Sequence, residues 1–194
     1  MLEYNERTAL IVVDVQNDFA DTAGSLSVPG GAEVVSVANR ETEAALAAGA
    51  LIFFSQDWHP KETPHFQAFG GIWPVHCVAD AWGAEFAAGL QVRGKVIRKG
   101  SNGEDGYSAF TMRDPQTGET TPTELNALLQ ERGIEHCVVL GLATDYCVRA
   151  TALDALTLGY AVTVLLDGVR AVDLQPGDGD AALAEILAAG GVLV

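Results

Sequence analysis

The sequence predicts a three-layer α/β/α fold in which helices cover both faces of a central, six-stranded and mostly parallel sheet. Short runs of β-branched and aliphatic residues alternate along the chain with longer segments of helical periodicity. Several of the short runs, including LIVVDV, VVLGL and VTVLL, are apolar on successive residues, which is typical of strands buried on both faces. Right-handed crossovers through the intervening helices then make neighbouring strands parallel.

Each predicted element follows from its own stretch of sequence. β-branched and other apolar residues favour strands, in chain order, at Ala9–Val15, Leu51–Gln56, Val96–Arg98, Cys137–Leu142, Ala161–Leu166 and Val192–Val194. Apolar residues at helical spacing favour helices at Ala32–Ala48, Thr123–Arg132, Asp145–Leu158 and Asp180–Ala189, with a shorter piece near Ala84–Gly89. In such a sheet, ligands bind beyond the carboxyl ends of the strands.

The chain of 194 residues is long enough to bury the core of one domain, and we expect one domain over residues 1–194. No apolar run approaches the ~20 residues that cross a bilayer, and the start of the chain lacks the basic segment of a secretion signal. Three cysteines without a CxxC spacing indicate reduced thiols. We therefore expect a cytoplasmic protein, either a monomer or a homo-oligomer.

The charge balance limits the classes of partner. The formal net charge is −15, and basic residues form no cluster longer than a pair. Such a surface repels nucleic-acid phosphates and anionic lipids, so we expect no nucleic-acid partner and no membrane partner. A small-molecule substrate is the remaining expectation.

Three chemically reactive side chains fall at the predicted ends of three strands. Asp14 ends the first strand, Lys99 ends the third, and Cys147 follows the fourth where a helix begins. Each alone could be a cap, a solvated lysine or a buried structural thiol. Together they place an acid, a base and a thiol at one edge of the sheet. A helix N-terminus and a nearby ammonium group would lower the pKa of the thiol, which favours Cys147 as a nucleophile.

A second cluster follows the second strand. Asp57 and His59 are separated by one residue in DWHPKETPHF, His65 follows in the same segment, and His76 lies in GGIWPVHC. Loop histidines commonly serve as caps or hydrogen-bond donors, but two histidines with a carboxylate also suit Zn²⁺, Fe²⁺ or Mn²⁺. The clustering favours a metal site.

Aromatic side chains accompany these polar residues in the same loops. A flat ring could bind in a slot between some of them, although any one could instead belong to the core. The candidates are Phe19, Trp58, Phe66, Trp73 and Tyr146.

These motifs together resemble the nicotinamidase/pyrazinamidase branch of the isochorismatase-like cysteine hydrolases, which have a Rossmann-like fold. The matching stretches span most of the chain in the order of that family, and are DVQNDF, SQDWHP, HF, WPVHC, RKG with DGYSAF, and GLATDYCV. Members with isochorismatase activity itself work without the cysteine, so Cys147 counts against that activity. Tyr146 stands where some relatives have histidine, which implies an altered pocket edge.

The resemblance also implies roles for individual residues. Asp14, Lys99 and Cys147 would form the catalytic triad. Asp57, His59 and His76 would bind one divalent metal ion, with zinc favoured over iron or manganese, and His65 would be a fourth ligand in the variants that use it. Phe19 and Trp73 would flank the ring of the substrate, with Ala143 and Tyr146 beside it. A cis peptide bond at Leu142–Ala143 would direct the N–H groups of Ala143 and Cys147 at the substrate oxygen, at a cost of about 3 kcal/mol.

The implied activity is hydrolysis of nicotinamide, and of pyrazinamide as a surrogate, to the carboxylate and ammonia, which points to NAD salvage. Two alternatives stay open on the sequence. A metal-independent amidohydrolase of the same fold could act on an N-carbamoyl, ureido or other small amide, although the histidine cluster opposes this. A metal-binding or thiol redox protein without hydrolytic turnover is the other.

Overall fold

A six-stranded sheet forms the centre of the computed structural model, which describes residues 3–194, so Met1 and Leu2 of the predicted domain lie outside the described residues. Its strands are β1 Thr8–Val13, β2 Leu51–Asp57, β3 Lys95–Lys99, β6 His136–Leu142, β7 Ala161–Arg170 and β8 Val192–Leu193. Their order in the sheet is β3-β2-β1-β6-β7-β8, and neighbouring strands pair in parallel. The predicted fold class and all six predicted strands are confirmed.

Helices cover both faces of the sheet, as predicted. They are α1 Asn17–Ala20, α2 Val34–Ala47, α3 Leu125–Glu131, α4 Arg149–Thr157 and α5 Asp178–Ala188. Alternate residues of β1 enter two separate cores: Ile11 packs with residues of α3, α4 and α5, and Val12 packs with residues of α2. This burial on both faces explains the continuous apolar runs. Among residues 3–194, no helix is both long and apolar enough to cross a membrane.

The helix predicted near Ala84–Gly89 is wrong. Only a single 3-10 turn, Trp82–Ala84, is present there. The following residues run alongside the chain after β1, because the Asn17 N–H donates to the Glu85 carbonyl at 2.9 Å and the Ala87 N–H donates to the Val15 carbonyl at 2.9 Å. These tertiary hydrogen bonds outweigh the local helical pattern.

A two-stranded antiparallel hairpin was not predicted. It consists of β4 Thr111–Arg113 and β5 Thr120–Pro122 and is separate from the main sheet. Its strands have three residues each and are half-buried or exposed, so they carry no apolar run. Strands of this kind give no hydrophobic signal in a sequence.

The register of the sheet places the ends of four strands together. Asp57 at the end of β2 is paired with Lys99 at the end of β3, and Val13 at the end of β1 is paired with Gly141 near the end of β6. The residues that follow these positions therefore converge at one edge of the sheet, which is where ligands bind in this class of fold.

Candidate active site

Lys99 lies at the centre of the candidate site. Its ammonium group is fully buried, and Nζ forms an ion pair with Asp14 Oδ2 at 2.7 Å. The same nitrogen also contacts Asp57 Oδ1 and the Gly106 carbonyl oxygen, and the Cys147 Sγ lies 3.7 Å from it. The structure therefore brings together the three side chains that were predicted to form a triad.

Asp14 directly follows β1 and has a φ of 47°. This left-handed conformation is uncommon for a residue with a side chain. The Ser55 hydroxyl donates to Asp14 Oδ1 at 2.7 Å and accepts the Asp14 N–H at 3.2 Å, so Ser55 and Lys99 together fix the carboxyl group. Burial raises the pKa of Asp14 to about 6, against the opposing effect of Lys99. A carboxyl group with such a pKa can accept and return a proton near neutral pH.

The structure corrects the predicted ionisation of Cys147. Burial raises the pKa of its thiol well above the usual value, and the Lys99 ammonium group offsets only part of this rise. The charge of Lys99 is shared with Asp14 and Asp57, and both carboxylates also raise the pKa of the thiol. The expected net lowering of the thiol pKa is therefore wrong. Cys147 is a protonated thiol, and its proton must be removed before the sulfur can act as a nucleophile.

The backbone that carries Cys147 is a single π-helical turn, Thr144–Val148, which precedes α4. The peptide bond Leu142–Ala143 is cis, as the resemblance implied. The N–H groups of Tyr146 and Val148 both donate to the Ala143 carbonyl at 3.1 Å, which fixes the turn against the end of β6. The predicted helix from Asp145 is thus divided into this turn and a shorter α-helix.

Three histidines converge beside these groups. His59, His65 and His76 each offer a ring nitrogen, and these three nitrogens lie within 4.8 Å of one another. Both ring nitrogens of His59 are buried without a hydrogen-bond partner, which is costly unless another group binds them. The His76 Nδ1–H donates to the Pro74 carbonyl at 2.8 Å, and burial lowers the pKa of His76 to about 4. His76 is therefore a neutral imidazole with a free Nε2, the form that binds metals.

Asp57 connects the histidines with Lys99. Its Oδ1 contacts the ammonium group, and its Oδ2 lies 3.7 Å from His59 Nε2 and 3.9 Å from His76 Nε2. Burial favours the neutral acid, but Lys99 and the two histidines outweigh it and hold the pKa of Asp57 well below its usual range. A carboxylate with converging imidazoles is a donor set for Zn²⁺, Fe²⁺ or Mn²⁺, so these residues fit the predicted metal.

A cavity opens beside both groups, and it encloses about 460 Å³ when the solvent at its mouth is included. The predicted substrate residues border it, and its lining consists of Phe19, Leu26, Asp57, His65, Trp73, His76, Gly106, Tyr107, Ala143, Tyr146, Cys147 and Val172. Two of the aromatic candidates, Trp58 and Phe66, do not line this cavity. The Arg98 guanidinium group stacks over the Trp58 ring, 3.9 Å from its centroid. Phe66 is fully buried, and its ring centroid lies 5.5 Å from that of His59.

The chain is similar to known proteins in both sequence and structure. A family model described as the isochorismatase domain matches residues 8–194. The chain belongs to the isochorismatase family. It is 40% identical to the nicotinamidase of Escherichia coli (strain K12), over 95% of this chain and 93% of that protein. The structure of the pyrazinamidase of Pyrococcus horikoshii in complex with zinc has a TM-score of 0.85 and 38% identity, and covers 97% of this chain and 98% of its own. The structure of PnC1 from L. infantum in complex with nicotinate has a TM-score of 0.88 and 36% identity, and the match covers 100% of this chain and 95% of that one.

The residues of the cavity wall that were not predicted include Tyr107, Leu26 and Val172. The Tyr107 hydroxyl accepts the Trp73 Nε1–H at 2.7 Å, and Tyr146 meets Trp73 edge to face with ring centroids 4.8 Å apart. Tyr107 lies within the motif DGYSAF and could have been selected on that ground. Leu26 and Val172 are ordinary apolar residues that only the tertiary fold brings to the cavity.

Two buried carboxylates that were not singled out hold the backbone of the isochorismatase-family site. Asp18 accepts the N–H of Cys77, next to His76, at 2.7 Å. Asp145 accepts the N–H groups of Val172 and Asp173 at 3.0 and 2.9 Å and so ties the turn of Cys147 to the segment after β7. An acidic residue at a turn carries no sequence signal for such a role.

Proposed function

We propose that the protein is a metal-dependent nicotinamidase, which converts nicotinamide, and pyrazinamide as a surrogate, to the corresponding acid and ammonia. One observation carries the proposal: the Cys147 thiol and the side chains of Asp57, His65 and His76 border the same cavity. The nicotinamidase and pyrazinamidase relatives support it. A nucleophile and a metal site on one small aromatic pocket suit a flat heteroaromatic amide.

In this proposal Asp14 performs the proton transfers. It takes the thiol proton of Cys147, and the sulfur attacks the amide carbon while the N–H groups of Ala143 and Cys147 hold the developing oxyanion. The C–N bond breaks as Asp14 returns the proton to the nitrogen, which releases ammonia and leaves an acyl thioester. Water then gives a proton to Asp14 while its oxygen attacks the thioester carbon, and the C–S bond breaks as Asp14 returns that proton to the sulfur, which releases the acid and restores the thiol. Lys99 stabilises the anionic carboxylate and thiolate throughout.

We assign Asp57, His59 and His76, with His65 as a fourth ligand, to one divalent metal ion, of which Zn²⁺ is the best candidate because of the zinc-bound neighbour. When bound, the ion would supply a Lewis acid for the ring nitrogen of the substrate and so orient the amide. Phe19 and Trp73 would enclose the ring, and Tyr146 would form the pocket edge.

Substrate comparison tests the proposal. Benzamide has nearly the shape of nicotinamide but lacks the ring nitrogen, so loss of that contact should reduce kcat/KM by roughly 30-fold to 1000-fold, or ~2–4 kcal/mol. Pyrazinamide keeps the nitrogen and should remain a substrate. The measurement is kcat/KM for the three amides on zinc-loaded wild type and on His76→Ala, which should lose the preference. Equal values for benzamide and nicotinamide on the wild type would contradict the proposal and favour the metal-independent amidase.

A further inference from the structure

Asp105 makes a short hydrogen bond to one of the three clustered histidines. It lies in the loop between β3 and β4, and its Oδ1 is 2.5 Å from His65 Nδ1. Both side chains are largely shielded, with relative exposures of 15% for Asp105 and 4% for His65. A carboxylate can only accept, so Nδ1 carries the hydrogen and donates it.

This bond determines which nitrogen of His65 remains free. With Nδ1 as the donor, only Nε2 can offer a lone pair to a cation. His76 is arranged in the same way, because its Nδ1–H donates to the Pro74 carbonyl at 2.8 Å. The His65 ring also stacks on that of His59, with centroids 4.5 Å apart and planes inclined by 17°. His65 is therefore fixed both in tautomer and in ring orientation.

The hairpin of β4 and β5 fixes the backbone of Asp105. The Asp105 N–H donates to the Arg113 carbonyl at 2.7 Å, and the Arg113 N–H donates to the Asp105 carbonyl at 3.0 Å. Arg113 is the last residue of β4. Two backbone hydrogen bonds thus join the hairpin, which supplies no residue to the wall of the main cavity, to the loop that supports His65.

We propose that Asp105, held in place by the β4–β5 hairpin, is a positioning residue that fixes His65 as an Nε2 ligand and so raises the affinity of the site for its metal ion. This inference rests on the metal site of the proposed function. A metal-bound histidine commonly donates the N–H of its other ring nitrogen to a carboxylate, which orients the ring and increases its basicity. Loss of such a carboxylate typically lowers metal affinity by roughly 10- to 100-fold.

The test is a measurement of zinc dissociation constants by competition with a chelator on the full chain. Asp105→Ala should weaken zinc binding by roughly 10- to 100-fold, and Asp105→Asn, which keeps an acceptor without the charge, should fall between it and the wild type. Glu104→Ala and Glu104→Gln are matched controls, because the Glu104 carboxylate accepts bonds only from Asn102 within the described structure, and they should bind zinc like the wild type. Melting temperatures of the zinc-free variants show that each is folded, and Asp105→Asn retains the shape of the loop.

A double-mutant cycle separates this role from a merely structural one. If Asp105 acts through His65, zinc affinity should be the same in His65→Ala and in His65→Ala/Asp105→Ala. Additive losses would overturn the inference, as would wild-type affinity in both Asp105 variants. A wild-type chain that binds no zinc would overturn the metal site itself and this inference with it, whereas unchanged Asp105 variants beside a zinc-binding wild type would leave the proposed function standing.

Discussion

Asp14 and Cys147 have pKa values that are both raised by burial, so the resting pair is a carboxyl group near its titration range next to a neutral thiol. The proton of the thiol therefore needs a specific acceptor. A raised pKa of about 6 means that Asp14 loses its base form as the pH falls through that value. The pH dependence of turnover is thus expected to report on this residue.

For the wild type, we expect kcat/KM to fall about tenfold per pH unit below a pH of about 6, since protonated Asp14 cannot accept the thiol proton. The Ser55 hydroxyl bond to Asp14 favours the ionised form, so Ser55→Ala should move this acid limb upward by up to about one pH unit. The measurement is a pH profile of both enzymes. An acid limb that stays in place in Ser55→Ala would show that another group controls it.

Cys147 and Cys77 offer a matched comparison of two buried thiols near the site. We expect Cys147→Ala to reduce kcat by at least about 10⁴-fold, because the thioester cannot form. Cys77 is fully buried, its Sγ lies 3.8 Å from the Gly83 carbonyl oxygen, and it is absent from the cavity wall, so Cys77→Ala should retain turnover and lose about 1 kcal/mol of stability. Ammonia release measures the first effect and urea unfolding the second. Near wild-type turnover by Cys147→Ala would refute the proposed nucleophile.

At the scale of single residues, sequence reasoning found the side chains but not their environment. Asp14, Lys99 and Cys147 stand out because reactive groups at strand ends are unusual, and the structure brings them together. The pKa of Cys147 could not be predicted, since it depends on how Lys99 divides its charge between two carboxylates. Ser55 and Asp105 open the motifs SQDWHP and DGYSAF, but neither was assigned a role, because the sequence does not show which distant side chain a strand serine or a loop acid contacts.

Among the elements, β6 has a tight packing constraint at Gly141, which lies against the backbone of β1. Its φ is 129°, and a Cβ atom there would lie 2.6 Å from the Val13 backbone nitrogen and still closer to the Val13 carbonyl oxygen. Between Val139 and Gly141 the register with β7 also shifts. The glycine thus allows the ends of β1 and β6 to lie close together. Asp14 directly follows this point on β1, and the turn with Cys147 follows β6.

We expect Gly141→Ala to reduce the free energy of unfolding by on the order of 2–4 kcal/mol, because both the positive φ and the close approach to Val13 disfavour a side chain. Gly159→Ala is the control, since Gly159 has a φ of 92° but no atom within 4 Å of an added Cβ, and it should lose only about 1 kcal/mol. Urea unfolding of the two variants and the wild type gives the comparison. Equal losses would mean that the contact with Val13 is relieved without cost.

The elements that could be predicted are those with a strong apolar pattern. All six strands of the sheet fall in this class, although β7 continues to Arg170, beyond its predicted end at Leu166, where the sequence turns polar. The segment after Trp82 was mistaken for a helix because its hydrogen bonds go to distant residues near Val15. Local periodicity carries no information about such partners.

At the scale of the whole molecule, the histidine cluster and the thiol site arise from different strand ends and share Asp57. Metal removal should therefore stop turnover without unfolding the protein. It should also lower the melting temperature, since a ligand at 1,000 times its dissociation constant stabilises the folded state by about 4 kcal/mol. Because Asp14 rather than the metal takes the thiol proton in the proposed mechanism, Cys147 should remain open to alkylation by iodoacetamide in the chelated protein.

These effects are measured by calorimetry, ammonia release and mass spectrometry on chelated and zinc-reloaded samples. His59→Ala serves as the control, and chelation should leave its melting temperature much less changed. Loss of Cys147 alkylation in a chelated protein that is still folded would mean that the metal activates the thiol, contrary to the proposed division of roles.

The position of β1 in the sheet has a consequence for how the protein is synthesised. The strand β1 pairs on one side with β2 and on the other with β6, which begins only at His136. A nascent chain on the ribosome therefore carries β1 with one open edge until β6 has emerged, and an unpaired apolar edge of this kind favours association with other chains. Since Asp14 directly follows β1 and Cys147 follows β6, the candidate site is completed only after β6 has been made.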